Sequence, residues 1–216
     1  MDEYETFLKK AKKLHGGVCA GVVMGIMMSL AAMRELGMDP AEQNKDLIVH
    51  VEIDRCMTDG VQAVTGCTLG HRNLKYNDYG KFVATFVNMT TRKAIRVSAR
   101  DDTCESCFGF WSWAENLFKG NGKCKPLPTP EDMEEGIEIV SGMPEEELLV
   151  LEEVPFKIPE DDIPGFPKHI TKCEICGEHV MDSKELLLDN KIICGSCASK
   201  INKKEWLNEL SIFETG

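Results

Sequence analysis

Basic residues are the scarce class in this chain. Its 216 residues include 25 Lys and Arg against 36 Asp and Glu, a formal net charge of −11. With no basic stripe to neutralise phosphates, a protein that tracks a nucleic-acid backbone is excluded. The acidic excess is local. Residues 131–162 hold 13 acids and a single base, Lys157, and the remainder is near neutral with 24 bases and 23 acids. A membrane-length apolar run is also lacking. The stretch Val18 to Met33 is 16 residues long and is followed at once by Arg34-Glu35, whereas a span needs roughly 20 apolar residues. A helix buried in a globular core is expected there, and no membrane partner. The N-terminus, Met1-Asp-Glu-Tyr-Glu-Thr-Phe-Leu-Lys-Lys, is charged and helical in pattern and does not read as a signal peptide. No internal repeat is visible.

Cysteine, by contrast, is plentiful, with ten residues. Four form Cys173-x-x-Cys176 and Cys194-x-x-Cys197, two pairs separated by 17 residues. Each turn can present two thiolates to one cation, and two turns complete a tetrahedral shell. Gly177 follows the first pair and Gly195 lies inside the second. Between them, Glu185 to Ile193 reads as a hairpin with its turn at Asp189-Asn190. Ala198 to Leu210 reads as a helix. The reading is a treble-clef or ribbon-like finger holding one structural Zn²⁺. Paired Cys-x-x-Cys spacing favours a metal site in a reducing compartment over a disulfide framework, so a cytoplasmic location is expected. The finger's own charge, six Lys against eight acids over 170–216, argues against DNA contact.

Upstream, residues 2–14 carry Tyr4, Phe7, Leu8, Ala11 and Leu14 at helical spacing. Val18 to Leu36 is a second helix, stopped by Gly37. Gly21, Gly25 and Ser29 lie four apart on it, a small-residue strip where another helix can pack closely. Asp46 to Ile53 reads as a strand, and Val61 to Thr65 as a short helix capped by Thr58 or Asp59. Lys81 to Asn88 and Ala94 to Arg100 read as a hairpin, and Ser106 to Phe118 as an aromatic helix. Thr129-Pro130 and Met143-Pro144 open further helices. A strand is expected over Val150 to Ile158. The proline-rich stretch up to Pro167 then reads as a linker. The fold class is therefore α+β. A core over residues 1–158 has an antiparallel sheet with packed helices, a linker follows over 159–169, and the finger occupies 170–216. The small-residue strip and the aromatic group Phe108 to Trp113 exceed what one small core readily covers, and a homodimer is expected on that ground.

A second constellation lies at element ends in the core. His15 precedes the buried helix, and Cys19 falls in its first turn, where free N–H groups and the dipole favour a thiolate. Directly after the 46–53 strand come Cys56, Asp59, Gln62, Thr65 and Cys67, interleaved with glycines that allow a ligand close to the backbone. Buried cysteines are often plain packing residues. Here the combination of one His, three Cys and Asp59 at turns points to a pocket. His15, Cys19, Cys56 and Cys67 are the candidate ligands of a second metal, and with Asp59 the candidate catalytic groups. Gln62 and Thr65 are candidate cofactor contacts. A metal-free thiol pocket satisfies the same pattern. A third group, Cys104, Cys107 and Cys124, admits zinc, an iron–sulfur cluster, a cycling dithiol, or packing beneath Phe108, Phe110, Trp111 and Trp113.

The run His15-Gly-x-x-Cys19-x-Gly21, the strand Ile48-Val-His-Val-Glu52, and Cys56-x-x-Asp59-Gly60-x-Gln62-x-x-Thr65-Gly66-Cys67-Thr68-x-Gly70 together resemble the formylmethanofuran dehydrogenase FmdE family. The resemblance covers residues 10–100 closely and the finger by architecture. It implies an α+β core with an auxiliary treble clef. It also implies association with molybdenum or tungsten formylmethanofuran dehydrogenases, as an accessory or small-ligand-binding component of one-carbon metabolism. The family's usual opening is His-Gly-His, and Gly17 stands here in place of the second His, which removes one nitrogen donor. Two other readings stay open. One is an enzyme in its own right, with Cys19, Cys56 or Cys67 as nucleophile or ligand and His15 or Asp59 carrying protons. The other is an interaction module whose finger docks a partner.

Overall fold

The computed structural model describes residues 3–40, 44–100 and 129–201. Cys104, Cys107 and Cys124, the expected helix over 106–118 and the residues beyond 201 lie outside them. The chain divides into two compact units, Met1–Lys157 and Ile158–Gly216.

In the first unit, α1 (Glu3–His15) and α2 (Ala20–Leu36) precede β1 (Leu47–Val51). Then come α3 (Cys56–Thr65), β2 (Leu74–Tyr76), β3 (Val83–Asn88), β4 (Ala94–Ala99), α4 (Pro130–Gly142), α5 (Glu145–Leu148) and β5 (Leu149–Glu153). The five strands form one sheet in the order β2-β1-β3-β4-β5. It is antiparallel except at one edge, where β2 runs parallel to β1 with Val49 opposite Leu74. That edge is made by a β1–α3–β2 crossover, which the hydrophobic pattern does not announce. β3 is central and buried along its whole length. Its hairpin with β4 closes through Asn88, whose Oδ1 accepts the N–H groups of Thr90 and Thr91.

The helix α2 has no polar face. Eleven of its residues from Val22 to Leu36 are buried, so its sequence lacks amphipathic period because it is enclosed on most sides. It ends where Gly37 adopts φ 64, with Gly37 N–H donating to Arg34 O and Met38 N–H to Met33 O at 2.9 Å, a left-handed cap that favours glycine. The small-residue strip on α2 is occupied within the chain. A Cβ at Gly25 would lie 2.1 Å from the Met57 carbonyl oxygen, and one at Gly60 would lie 2.3 Å from that of Val22. The α2 and α3 backbones thus touch at Gly25 and Gly60. Ser29 turns inward, donating to Gly25 O at 2.7 Å. The strip therefore provides no dimer face, and the homodimer loses that support.

Also different is the start of α3. It begins at Cys56, with Arg55 as a cap that makes no side-chain bond. Thr58, the expected cap, donates instead back to Ile53 O at 2.8 Å. Five residues are thereby added to the helix, and Cys56 is placed at its first position.

In the second unit, β6 (Ile170–Lys172) pairs with β7 (His179–Met181), and β8 (Leu186–Leu188) pairs with β9 (Lys191–Ile193). A helix, α6 (Gly195–Ile201), follows. Asp189 and Asn190 both take positive φ, 50° and 61°, the geometry of a tight two-residue hairpin turn. A short 3₁₀ turn, Glu160–Asp162, belongs to this unit, where Asp162 accepts from Lys184 Nζ at 3.1 Å. Among the described residues the unit's buried apolar centre is tiny, made by Cys173, Ile193 and Cys197 with Val180, Cys194 and Ala198 against them. Such a centre is too small to hold the described part of the finger together without a further constraint.

Candidate metal centres

In the finger, one thiol comes from the end of the β6 hairpin, one from its knuckle, one from the residue after β9 and one from the first turn of α6. The sulfurs of Cys173, Cys176, Cys194 and Cys197 all lie within 4.8 Å of one another. The Cys176 and Cys194 sulfurs are 3.9 Å apart. The edge of a tetrahedron with 2.3 Å metal–sulfur bonds is about 3.8 Å, so the set fits a four-coordinate zinc finger. Gly177 turns the knuckle with φ 76, donating its N–H to Cys173 O at 2.9 Å. The N–H groups of Cys176 and Cys194 lower the Cys173 thiol to about 6 from an ordinary 9.0. Burial, followed by the neighbouring thiols, pushes Cys197 up to about 12. A single anionic sulfur is thus favoured among the four, and further thiolate charge needs a cation beside it.

In the core, three elements converge. His15 ends α1, Cys19 is the cap residue of α2 and Cys56 opens α3. Their donor atoms lie within 4.8 Å of one another. Two turns of α3 extend the group. Asp59 Oδ2 is 2.7 Å from His15 Nδ1, and Gln62 Nε2 donates to Asp59 Oδ1 at 3.2 Å. A carboxylate on Nδ1 selects the tautomer in which Nε2 carries the lone pair, the arrangement common behind metal-bound histidines. His15 and Asp59 side chains are 27% and 33% exposed, so the group is reachable from solvent. Gly21 makes the convergence possible, since a Cβ there would stand 3.2 Å from Cys56 Cβ and 3.7 Å from Cys19 Sγ. Burial, then hydrogen bonding to Cys19, raises the Cys56 thiol to about 11. One imidazole and two thiols, with the imidazole held by a carboxylate, fit a soft divalent ion.

Two expected members lie elsewhere. Cys67 is fully buried and outside this group, its Sγ 3.7 Å from Leu47 O. Thr65 closes α3 by donating to Val61 O at 2.7 Å and accepting the Cys67 N–H at 3.1 Å. The sequence pattern points to both because they follow Cys56 closely. Gly66, at φ 68, ends α3 between them and turns the chain away. Asp59 and Gln62 sit where the group needs them. Their i, i+3 spacing from Cys56 onward becomes legible once the helix is seen to start at Cys56.

The family model described as "FmdE, Molybdenum formylmethanofuran dehydrogenase operon" matches residues 14–150, a span that holds His15, Cys19 and Cys56 and stops short of the finger. A curated relative from Archaeoglobus fulgidus, named a probable S-adenosyl-L-methionine-binding protein, is 34% identical over 189 residues, covering 82% of this chain and 49% of its own. The chain thus spans about half the length of that relative. A solved structure of a tungsten formylmethanofuran dehydrogenase FmdE-like protein from Syntrophus aciditrophicus matches with a TM-score of 0.54 at 23% identity, over 91% of this chain and 92% of that one. This is a likeness of fold. Among the described residues, no helix is long and apolar enough to cross a membrane.

Proposed function

This chain belongs to the FmdE family, and on that premise we propose that it is a metal-binding accessory or small-ligand-binding protein of molybdenum- or tungsten-dependent formylmethanofuran metabolism, or of related one-carbon chemistry. The observation that carries the reading is the convergence of His15, Cys19 and Cys56, with Asp59 on the imidazole. These three residues would hold a Zn²⁺ or similar soft ion through one nitrogen and two sulfurs. Such an ion supplies Lewis acidity, and with three protein donors it keeps a position for an external ligand. The protein's own residues do the rest. Asp59 accepts the Nδ1–H of His15 and fixes the ring, and Gln62 fixes Asp59 in turn. In the finger, Cys173, Cys176, Cys194 and Cys197 hold a Zn²⁺ whose four-thiolate shell leaves no position for substrate, a structural role. The finger, residues 170–216, is read as the module that presents the core to a protein partner such as the dehydrogenase.

Elemental analysis of the full chain tests the reading. Two metal equivalents are expected, falling to one in Cys176→Ser and to one in the Cys19→Ser/Cys56→Ser double variant. Retention of both equivalents in the double variant would remove the core site. A second reading, binding of S-adenosyl-L-methionine beside the core site, is favoured by the name of the Archaeoglobus relative. Titration calorimetry with that compound checks it, and no heat at millimolar protein and ligand would reject it.

A further inference from the structure

The two sulfurs of the core group have a property separate from their capacity as ligands. Cys19 and Cys56 come from different helices, and their Sγ atoms lie within 4.8 Å of each other. Both side chains are partly exposed. The neighbouring Gly21 keeps the space beside them open, since a Cβ there would stand 3.2 Å from Cys56 Cβ and 3.7 Å from Cys19 Sγ. The helices bearing them are fixed by backbone contact at Gly25 and Gly60, so the pair is held near without being bonded. Cys67, the other described cysteine of this unit, is buried against Leu47 O and offers neither thiol a partner.

We propose that Cys19 and Cys56 form a reversible disulfide, and that the disulfide and a core metal ion exclude one another. A disulfide needs an S–S bond of about 2.05 Å with Cβ atoms about 3.5–4.5 Å apart. Turning about the Cα–Cβ bonds swings the two sulfurs together, and any change in the Cβ separation falls on the backbone at the starts of α2 and α3. The oxidant is a low-molecular-weight disulfide, RSSR. One cysteine thiolate attacks a sulfur of RSSR, forming a mixed disulfide and releasing RS⁻, which takes a proton. The second thiolate attacks the cysteine sulfur of that mixed disulfide, forming the Cys19–Cys56 bond and releasing a second RS⁻. Two cysteine thiols lose two electrons, and one RSSR becomes two RSH. Excess thiol reverses both steps. The exclusion rests on the metal reading above. A bridged sulfur is no longer a thiolate, so of the three ligands only the neutral imidazole of His15 would remain, too few to hold an ion. Conversely, coordination occupies both nucleophiles.

The test uses the full-length protein, incubated with oxidised glutathione, quenched with an alkylating agent and mapped by mass spectrometry without reduction, while a chromogenic chelator follows released metal. The expected result is a peptide linking Cys19 to Cys56, lost after dithiothreitol and absent from Cys19→Ser and Cys56→Ser, each of which keeps its remaining cysteine as a glutathione adduct. Loading with zinc beforehand should slow the link roughly tenfold or more, because both attacking sulfurs are coordinated. Separate glutathione adducts on Cys19 and Cys56 in the wild type, or links from either to Cys104, Cys107 or Cys124, would overturn the proposal. A Cys19–Cys56 link in protein that takes up no core metal when loaded with zinc supports the dithiol pair and removes the metal reading, so the two failures are told apart. Release of less than one equivalent of zinc per Cys19–Cys56 link in protein loaded with both equivalents overturns the mutual exclusion.

Discussion

Replacing Gly60 with alanine adds one methyl group at the tightest point of the core. Its Cβ would sit 2.3 Å from the carbonyl oxygen of Val22 and 3.0 Å from both Gly25 Cα and Ile26 N. All three obstacles are backbone, so no side-chain rotation relieves them. The helices α2 and α3 must separate by roughly 1 Å at their crossing. Overpacking of a close-packed core costs about 1–3 kcal/mol, and backbone obstacles place this case at the upper end. Alanine regains about 1 kcal/mol through its better helix propensity. The net loss is about 2 kcal/mol. For a domain of this size the melting midpoint falls by about 2–4 °C per kcal/mol, so a drop of about 4–8 °C is expected by calorimetry. The same movement shifts Cys56 on α3 relative to Cys19 on α2. Metal bonds tolerate about 0.2 Å, so core metal occupancy should fall while finger metal stays. Gly17→Ala is the control, since its Cβ meets nothing within 4 Å and its φ is not in the left-handed region; its effect should stay within about 0.5 kcal/mol. A Gly60→Ala protein that melts at or above the wild-type midpoint, with core metal unchanged, would refute the reasoning.

Asp59→Ala removes the acceptor that orients His15, and chelator competition should show core affinity reduced roughly 10- to 100-fold with the finger unaffected. Cys176→Ser should release the finger metal and make residues 170–201 sensitive to limited proteolysis, while the first unit keeps its melting midpoint, because the finger's buried centre is so small. Burial holds the Cys67 thiol at about 11 against an ordinary 9.0. The unfolded chain therefore ionises first, and the stability that this thiol confers below pH 9 is lost as pH rises from 9 to 11. Thermal melts across that range should show a downward slope in the wild type and a shallower one in Cys67→Ala. An equal slope in both would place the effect elsewhere.

The spacing of Cys173, Cys176, Cys194 and Cys197 announced the finger cluster because both pairs are local turns joined by a hairpin, and local geometry is what sequence spacing encodes. The α2 run was equally plain, since an all-apolar helix stopped by Gly37 needs no tertiary partner to be recognised. The core group was legible in its members and not in its assembly. His15, Cys19 and Cys56 meet because α2 and α3 cross at two glycines, and which helix would use that strip was not written in α2 alone. The start of α3 was hidden because Arg55 offers no capping oxygen, and the residues that looked like caps serve other partners: Thr58 bonds Ile53 O and Asp59 bonds His15. Cys67 misled through its place in the motif, since the residue past a left-handed glycine heads in a different direction in space. The parallel edge strand β2, three residues long, is too short to carry a period.

The crossing of α2 and α3 also bears on how this sequence can drift. A Cβ on Gly25 would meet Gly60 Cα at 3.1 Å, and a Cβ on Gly60 would meet Gly25 Cα at 3.0 Å. Each glycine's Cα is thus among the other's obstacles, behind the nearer carbonyl oxygens of Met57 and Val22. Once a first substitution has forced the helices apart, the second enters space already opened, so the double variant should lose less than the two single losses added together. A lineage leaving the glycine pair meets the larger share of the loss at the first step, before any compensating change has value. Selection acting on single substitutions therefore holds both glycines in place, and with them the separation at which Cys19 and Cys56 face each other.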